Sequence, residues 1–266
     1  MIAYLPYYLS LGLISGFVAG LLGVGGGLVL VPILVWLFTM QGFNPSHIML
    51  SALGTSLAVI SFTAISSVRA HHAHGAVNWG MVRRIAAGII VGTFVGAWLA
   101  GHLPGQFLHY FFVIFLFYAA TQMLLNFKPA PHRELPGTIG LSLVGGVIGL
   151  VSGWVGIGGG TLSVPFMLWC NSKLHQAIAT SAAIGFPIAI AGTLGYISAG
   201  WQVTTLPAYS AGYVYLPALA AIAGTSILTA PLGARMAHRL PVPTLKRTFS
   251  IVLYALGIKM AYALMQ

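Results

Sequence analysis

The chain has 266 residues, of which 58% are hydrophobic and 5% charged. A water-soluble domain carries about 25% charged residues, so this composition excludes a globular protein in water and specifies an integral membrane protein. The net charge of +10 comes from eleven Lys and Arg set against one acid. These cations lie mostly in short loops between apolar runs, as the positive-inside pattern expects, so they do not signal nucleic acid.

The predicted apolar runs, in chain order, are 5–22, 28–40, 47–68, 82–101, 106–127, 138–155, 161–170, 174–199, 212–234 and 244–264. They continue to the C-terminus, unlike a cleavable signal. The single Cys170 excludes an intrachain disulfide. The one acid, Glu134, lies in the polar stretch 126–137. No apolar run therefore holds Asp or Glu, the groups that usually bind a coupling cation within a membrane. This argues against a cationic substrate and leaves His, water or the substrate itself to carry any coupled proton.

The polar stretch separates two groups of five runs, and landmarks recur across it. "GVGGG" at 23–27 matches "GIGGG" at 156–160, and each is followed by Val-Pro, at Val31-Pro32 and Val164-Pro165. Gly54-Thr55-Ser56 matches Ala179-Thr180-Ser181, and Gly92-Thr93 matches Gly224-Thr225. The order is kept throughout, which predicts an internal duplication with a first repeat over 1–128, a second over 138–266, and a connecting loop at 129–137.

The cations predict that the repeats are inverted. Arg69, Arg83 and Arg84 follow the third run, whereas the matching second-half stretch 198–213 has no Lys or Arg. Arg235, Arg239, Lys246 and Arg247 follow the ninth run, whereas the matching stretch 101–106 has none. Parity agrees when each glycine stretch is the tip of a hairpin that returns to its starting side. Ten of the eleven cations then share one side, with Lys259 the exception. The predicted fold is an all-α integral membrane protein of two inverted-topology repeats. Each repeat is a Gly-tipped broken-helix hairpin plus three transmembrane helices, and both termini lie outside the cytoplasm.

Non-helical backbone within a bilayer needs cover from protein or a water-filled cavity. A four-glycine stretch allows positive φ, and a new helix begins after it, with Pro32 or Pro165 in or just past its first turn. The free amides of that turn carry the positive end of the helix dipole. Two such ends meeting near the midplane form an anion site built from backbone. The candidate residues are Gly23, Gly25, Gly26, Gly27, Gly156, Gly158, Gly159, Gly160 and Thr161, with the hydroxyls of Thr55, Ser56, Thr180 and Ser181 completing the hydrogen bonds. The competing reading of the glycines is close helix packing, and that of the hydroxyls is back-bonding to the preceding turn. The His-rich "RAHHAHG" at 69–75 reads as a solvated cationic loop rather than a metal site, having no Cys or acid nearby.

The segments "GVGGGLVLVPIL" (23–34), "ALGTSLAV" (52–59), "AHHAHGAVNW" (70–79), "GIGGGTLSVPFML" (156–168) and "AIATSAAI" (177–184) resemble the TauE/SafE family of sulfite and organosulfonate carriers. The resemblance implies an inner-membrane secondary transporter for a small sulfur oxyanion or organosulfonate, working by alternating access. It implies no cofactor, metal or catalytic residue, and points to the glycine tips and Thr-Ser pairs named above. Ala179 stands where the first half has Gly54, and Thr161 where it has Leu28, so the half-sites are not equivalent. Proton coupling stays open. An anion channel using the same tips is the alternative, and a membrane enzyme lacks a nucleophile, base or metal set.

Overall fold

The computed structural model describes residues 2–23, 26–125, 135–237 and 242–264. Among them are ten α-helices: α1 (Leu5–Leu22), α2 (Gly27–Met40), α3 (Pro45–Ala73), α4 (Trp79–Ala100), α5 (Gly105–Leu124), α6 (Thr138–Val155), α7 (Gly160–Trp169), α8 (Leu174–Gly200), α9 (Leu216–Ala237) and α10 (Val242–Ala263). A short antiparallel hairpin, β1 (Ser210–Ala211) and β2 (Val214–Tyr215), precedes α9. This is an all-α multi-pass membrane protein.

Helices α3, α4, α5, α6, α8 and α9 are long and apolar enough to cross a membrane. At a rise of about 1.5 Å per residue, α2 and α7, with 14 and 10 residues, fall well short of a hydrocarbon core of roughly 30 Å. Helix α10 has 22 residues but also holds Lys246, Arg247 and Lys259, and is not one of the six.

The most extensive helix contacts are α1 with α9 and α4 with α6. Both are built on glycines four residues apart. A Cβ on Gly12, Gly16 or Gly20 of α1 would strike the α9 backbone at Ile222, Ser226 or Ala230. A Cβ on Gly88, Gly92 or Gly96 of α4 would strike α6 at Ser142, Gly146 or Leu150. Lipid tails are as apolar as leucine, so close van der Waals approach between small residues drives such pairing. Packing therefore accounts for Gly16. Both pairings join the first half of the sequence to the second. At the centre, α3 packs on α8, and α5 on α10.

The structure changes one local expectation and sharpens another. Helix α3 continues to Ala73, so the His-rich stretch forms its last turn rather than a loop. His71 is buried there, and His72 Nδ1 accepts from Trp79 Nε1 at 3.1 Å. The proline of each short helix is its sixth residue, beyond the first turn, so it removes the N–H that would have reached the carbonyl of Leu28 or Thr161 four residues earlier.

Candidate functional site

The glycine tips have the positive-φ backbone expected of them. Gly23 and Gly26 have φ of 66° and 74°, and Gly156 and Gly159 have 69° and 76°. This is the left-handed region, which costs a residue with a Cβ about 1–2 kcal/mol. Gly23 and Gly156 each close the helix before the break, while Gly26 and Gly159 each cap the helix after it. Gly25 lies outside the described residues.

The tips touch each other, since a Cβ on Gly27 would collide with the carbonyl oxygen of Gly156 and stand 3.0 Å from the Cα of Ile157. Each tip is also pressed against the long central helix of the opposite half. A Cβ on Gly23 would stand 2.8 Å from the carbonyl of Ile178 in α8, and one on Gly156 would stand 3.2 Å from the Cα of Leu53 in α3. The tips therefore combine special backbone with close packing.

The Thr-Ser pairs join the halves in the same reciprocal way. Ser56 Oγ donates to the Gly156 carbonyl at 2.8 Å, and Ser181 Oγ donates to the Gly23 carbonyl at 2.9 Å. Thr55 Oγ1 accepts from the Tyr215 amide at 3.0 Å, and Thr180 Oγ1 accepts from the Asn78 amide at 3.0 Å. All four side chains are buried. None of these bonds is back-bonding to its own helix. Each threonine fixes the start of a helix in the other half, and each serine holds the other half's tip. The serine protons are engaged by protein in this conformation.

The amides at the starts of α2 and α7 remain a source of donors. The bonds accepted by the Gly26 carbonyl begin with the amide of Val29, and those accepted by Gly159 with the amide of Leu162. The first-turn amides before them lack an intrahelical acceptor, as at every helix start.

Three further hydroxyls surround the second tip. Ser152, Thr161 and Ser163 are buried, and none has a hydrogen-bond partner for its side-chain oxygen. Ser152 Oγ lies 3.5 Å from where a Cβ on Gly159 would be. Ser163 is four residues past Gly159, on the same helical face. A buried hydroxyl without a partner costs about 1–3 kcal/mol, so three around one helix start are a concentration of unmet hydrogen-bonding capacity. At the matching first-half positions stand Ala19, Leu28 and Leu30, so these three hydroxyls have no counterpart at those positions of the first tip. Thr161 was legible in the sequence. Ser152 and Ser163 were missed, and their signal was this hydroxyl-for-apolar exchange between matched positions of the two halves.

A cavity of about 10 Å³ lies between the tips and α3, lined by Gly23, Gly158, Thr63, Ser67 and Gly185 among others. It has about the space of one water molecule. Among the described residues no His, Cys, Asp and Glu cluster suits a metal ion.

A model of the sulfite exporter TauE/SafE family matches residues 8–260. The chain belongs to the TauE/SafE family. Relatives in the family span the same length. A probable membrane transporter protein of Haemophilus influenzae is 39% identical over 261 residues, covering 98% of this chain and 99% of that protein. The probable membrane transporter protein YunE of Bacillus subtilis is 29% identical, covering 95% of each. The probable membrane transporter protein MJ0441 of Methanocaldococcus jannaschii is 28% identical, covering 96% of this chain and 95% of its own. No solved structure matches the chain. TauE/SafE membership makes this a membrane transporter and agrees with the resemblance carried by the glycine tips.

Proposed function

We propose that the protein is a secondary transporter that moves a small sulfur oxyanion or organosulfonate across the inner membrane by alternating access. The observation that carries this reading is the contact of the two glycine tips, Gly27 against Gly156, with three unpartnered hydroxyls around the second. Converging amides and hydroxyls suit an anion whose several oxygens each accept hydrogen bonds. No carboxylate stands in an apolar run to repel it. In this reading the substrate binds off centre, toward Ser152, Thr161 and Ser163, with Gly23, Gly25, Gly26, Gly27, Gly156, Gly158, Gly159 and Gly160 as the backbone cradle. Thr55, Ser56, Thr180 and Ser181 hold that cradle in shape. The site performs no catalytic step.

The reading includes two inverted repeats, 1–128 and 138–266, with both termini outside the cytoplasm. The reciprocal pairs Ser56–Gly156 and Ser181–Gly23, and the reciprocal packing of α1 on α9 and α6 on α4, support it. Because those pairings cross the sequence midpoint, the moving bodies are mixed. Helices α1, α3 and α9 swing against α4, α6 and α8, rather than one half of the sequence against the other. Proteoliposomes loaded with labelled sulfite, thiosulfate or a small sulfonate test the proposal. Saturable flux of at least one of them supports it. Flux of none, or currents far above carrier rates, overturns it.

A further inference from the structure

Away from the tips, a cleft of about 450 Å³ opens between α3 and α9. Its polar end holds Arg69 and Arg235, and its walls include Phe62, Ile65, Ile227 and Pro231. Phe62, Ile65 and Ile227 are exposed, so in a bilayer this wall faces acyl chains. The chain's one acidic side chain, Glu134, lies outside the described residues, and among those residues neither guanidinium has an ion-pair partner. Ser66, at the same rim, donates to the Ile227 carbonyl at 3.0 Å and pins α3 to α9 there.

Two planar guanidiniums with no carboxylate, set over an apolar trough, match an amphiphile with an anionic head. Guanidinium pairs bind phosphate oxygens bidentately, and basic pockets between transmembrane helices are suited to anionic head groups. We propose that this cleft binds the phosphodiester head group of an anionic phospholipid of the cytoplasmic leaflet. Arg69 and Arg235 clamp the phosphate, while the acyl chains lie along Phe62, Ile65 and Ile227. Arg69 comes from the first half of the sequence and Arg235 from the second. The bound lipid therefore staples the halves on that side and acts as a structural ligand, distinct from the transported anion. The matching first-half stretch, 101–106, holds no Lys or Arg to take the place of Arg235.

The test is thermal unfolding of the delipidated, detergent-purified protein during titration with phosphatidylglycerol. Phosphatidylcholine and inorganic phosphate are the parallel titrants. Phosphatidylglycerol should stabilise the wild type. Arg69→Gln and Arg235→Gln should each weaken its apparent affinity roughly five-fold, the effect of one cation at an anionic surface. Arg84→Gln, at an exposed cation on α4, should leave that affinity unchanged. Protection by phosphatidylcholine equal to that by phosphatidylglycerol overturns the proposal, as does undiminished protection of both arginine variants. Equal protection by inorganic phosphate overturns the lipid as the source of the anion. Should the variants fail to fold, a photoactivatable phosphatidylglycerol added to the wild type should label peptides of α3 and α9. Labelling confined to other helices overturns the site.

Discussion

The hydroxyl of Ser56 donates to the carbonyl of Gly156 at 2.8 Å, so the first half of the chain holds the glycine tip of the second. Ser181 and Gly23 repeat the arrangement in the other direction at 2.9 Å. Removing either hydroxyl leaves a buried tip carbonyl without this donor, at a cost of about 1–3 kcal/mol. Ser56→Ala and Ser181→Ala should each lower the thermal midpoint of the purified protein. Unchanged midpoints in both would show that the cross-half bonds do not hold the tips.

The unpartnered hydroxyls predict the opposite pattern. Replacing a buried polar group that has no partner is neutral or stabilising. Ser152→Ala, Thr161→Val and Ser163→Ala should therefore keep or raise the midpoint while weakening substrate affinity by about 0.5–3 kcal/mol each, the range for a lost neutral or charge-assisted hydrogen bond. Affinity and midpoint measured on one preparation decide the matter. Wild-type affinity in all three variants would place the substrate elsewhere.

Gly26→Val and Gly159→Val address the tips directly. Both residues sit at positive φ, so each variant pays about 1–2 kcal/mol for the backbone. A Cβ on Gly26 would stand 2.8 Å from the Ser15 carbonyl, which is backbone, whereas one on Gly159 would press on the tip of the Ile188 side chain, which can move. Gly159→Val should therefore be the better folded of the two and should bind no substrate. A folded Gly159→Val protein with wild-type affinity would reduce the tip to a packing device.

Gly42 and Gly75 form a matched pair for topology. Both have positive φ, and both have open space where a Cβ would be added. The proposed orientation puts Gly42 outside and Gly75 in the cytoplasm, while the one native cysteine, Cys170, is buried. In intact cells an impermeant thiol reagent should label Gly42→Cys and spare Gly75→Cys. The reverse result would invert the protein in the membrane.

Coupling gives the last prediction. With no Asp or Glu in an apolar run, sodium would have only carbonyls and hydroxyls as ligands. Transport should proceed in sodium-free vesicles, and a strict sodium requirement would refute this.

The sequence determined what depends on composition and local backbone. An apolar chain with one acid must lie in a membrane and suits an anion better than a cation. The runs foretold the ten helices to within a few residues, because membrane helices satisfy their backbone internally and need little help from neighbours. The tips were legible because four of their glycines adopt a backbone that residues with a Cβ avoid. What only the tertiary structure decided was partnership. Nothing in either half of the sequence tells whether its serine reaches its own tip or the other's, and the hydrogen bonds of Ser56 and Ser181 put both across the halves. The same holds for the glycines of α1. Their spacing marks a face for close approach, while the identity of the helix that fills it, α9, depends on packing with residues more than two hundred positions away. The isolation of the Ser152, Thr161 and Ser163 hydroxyls was likewise invisible in sequence, because an unmet hydrogen bond is a property of everything around a residue rather than of the residue itself.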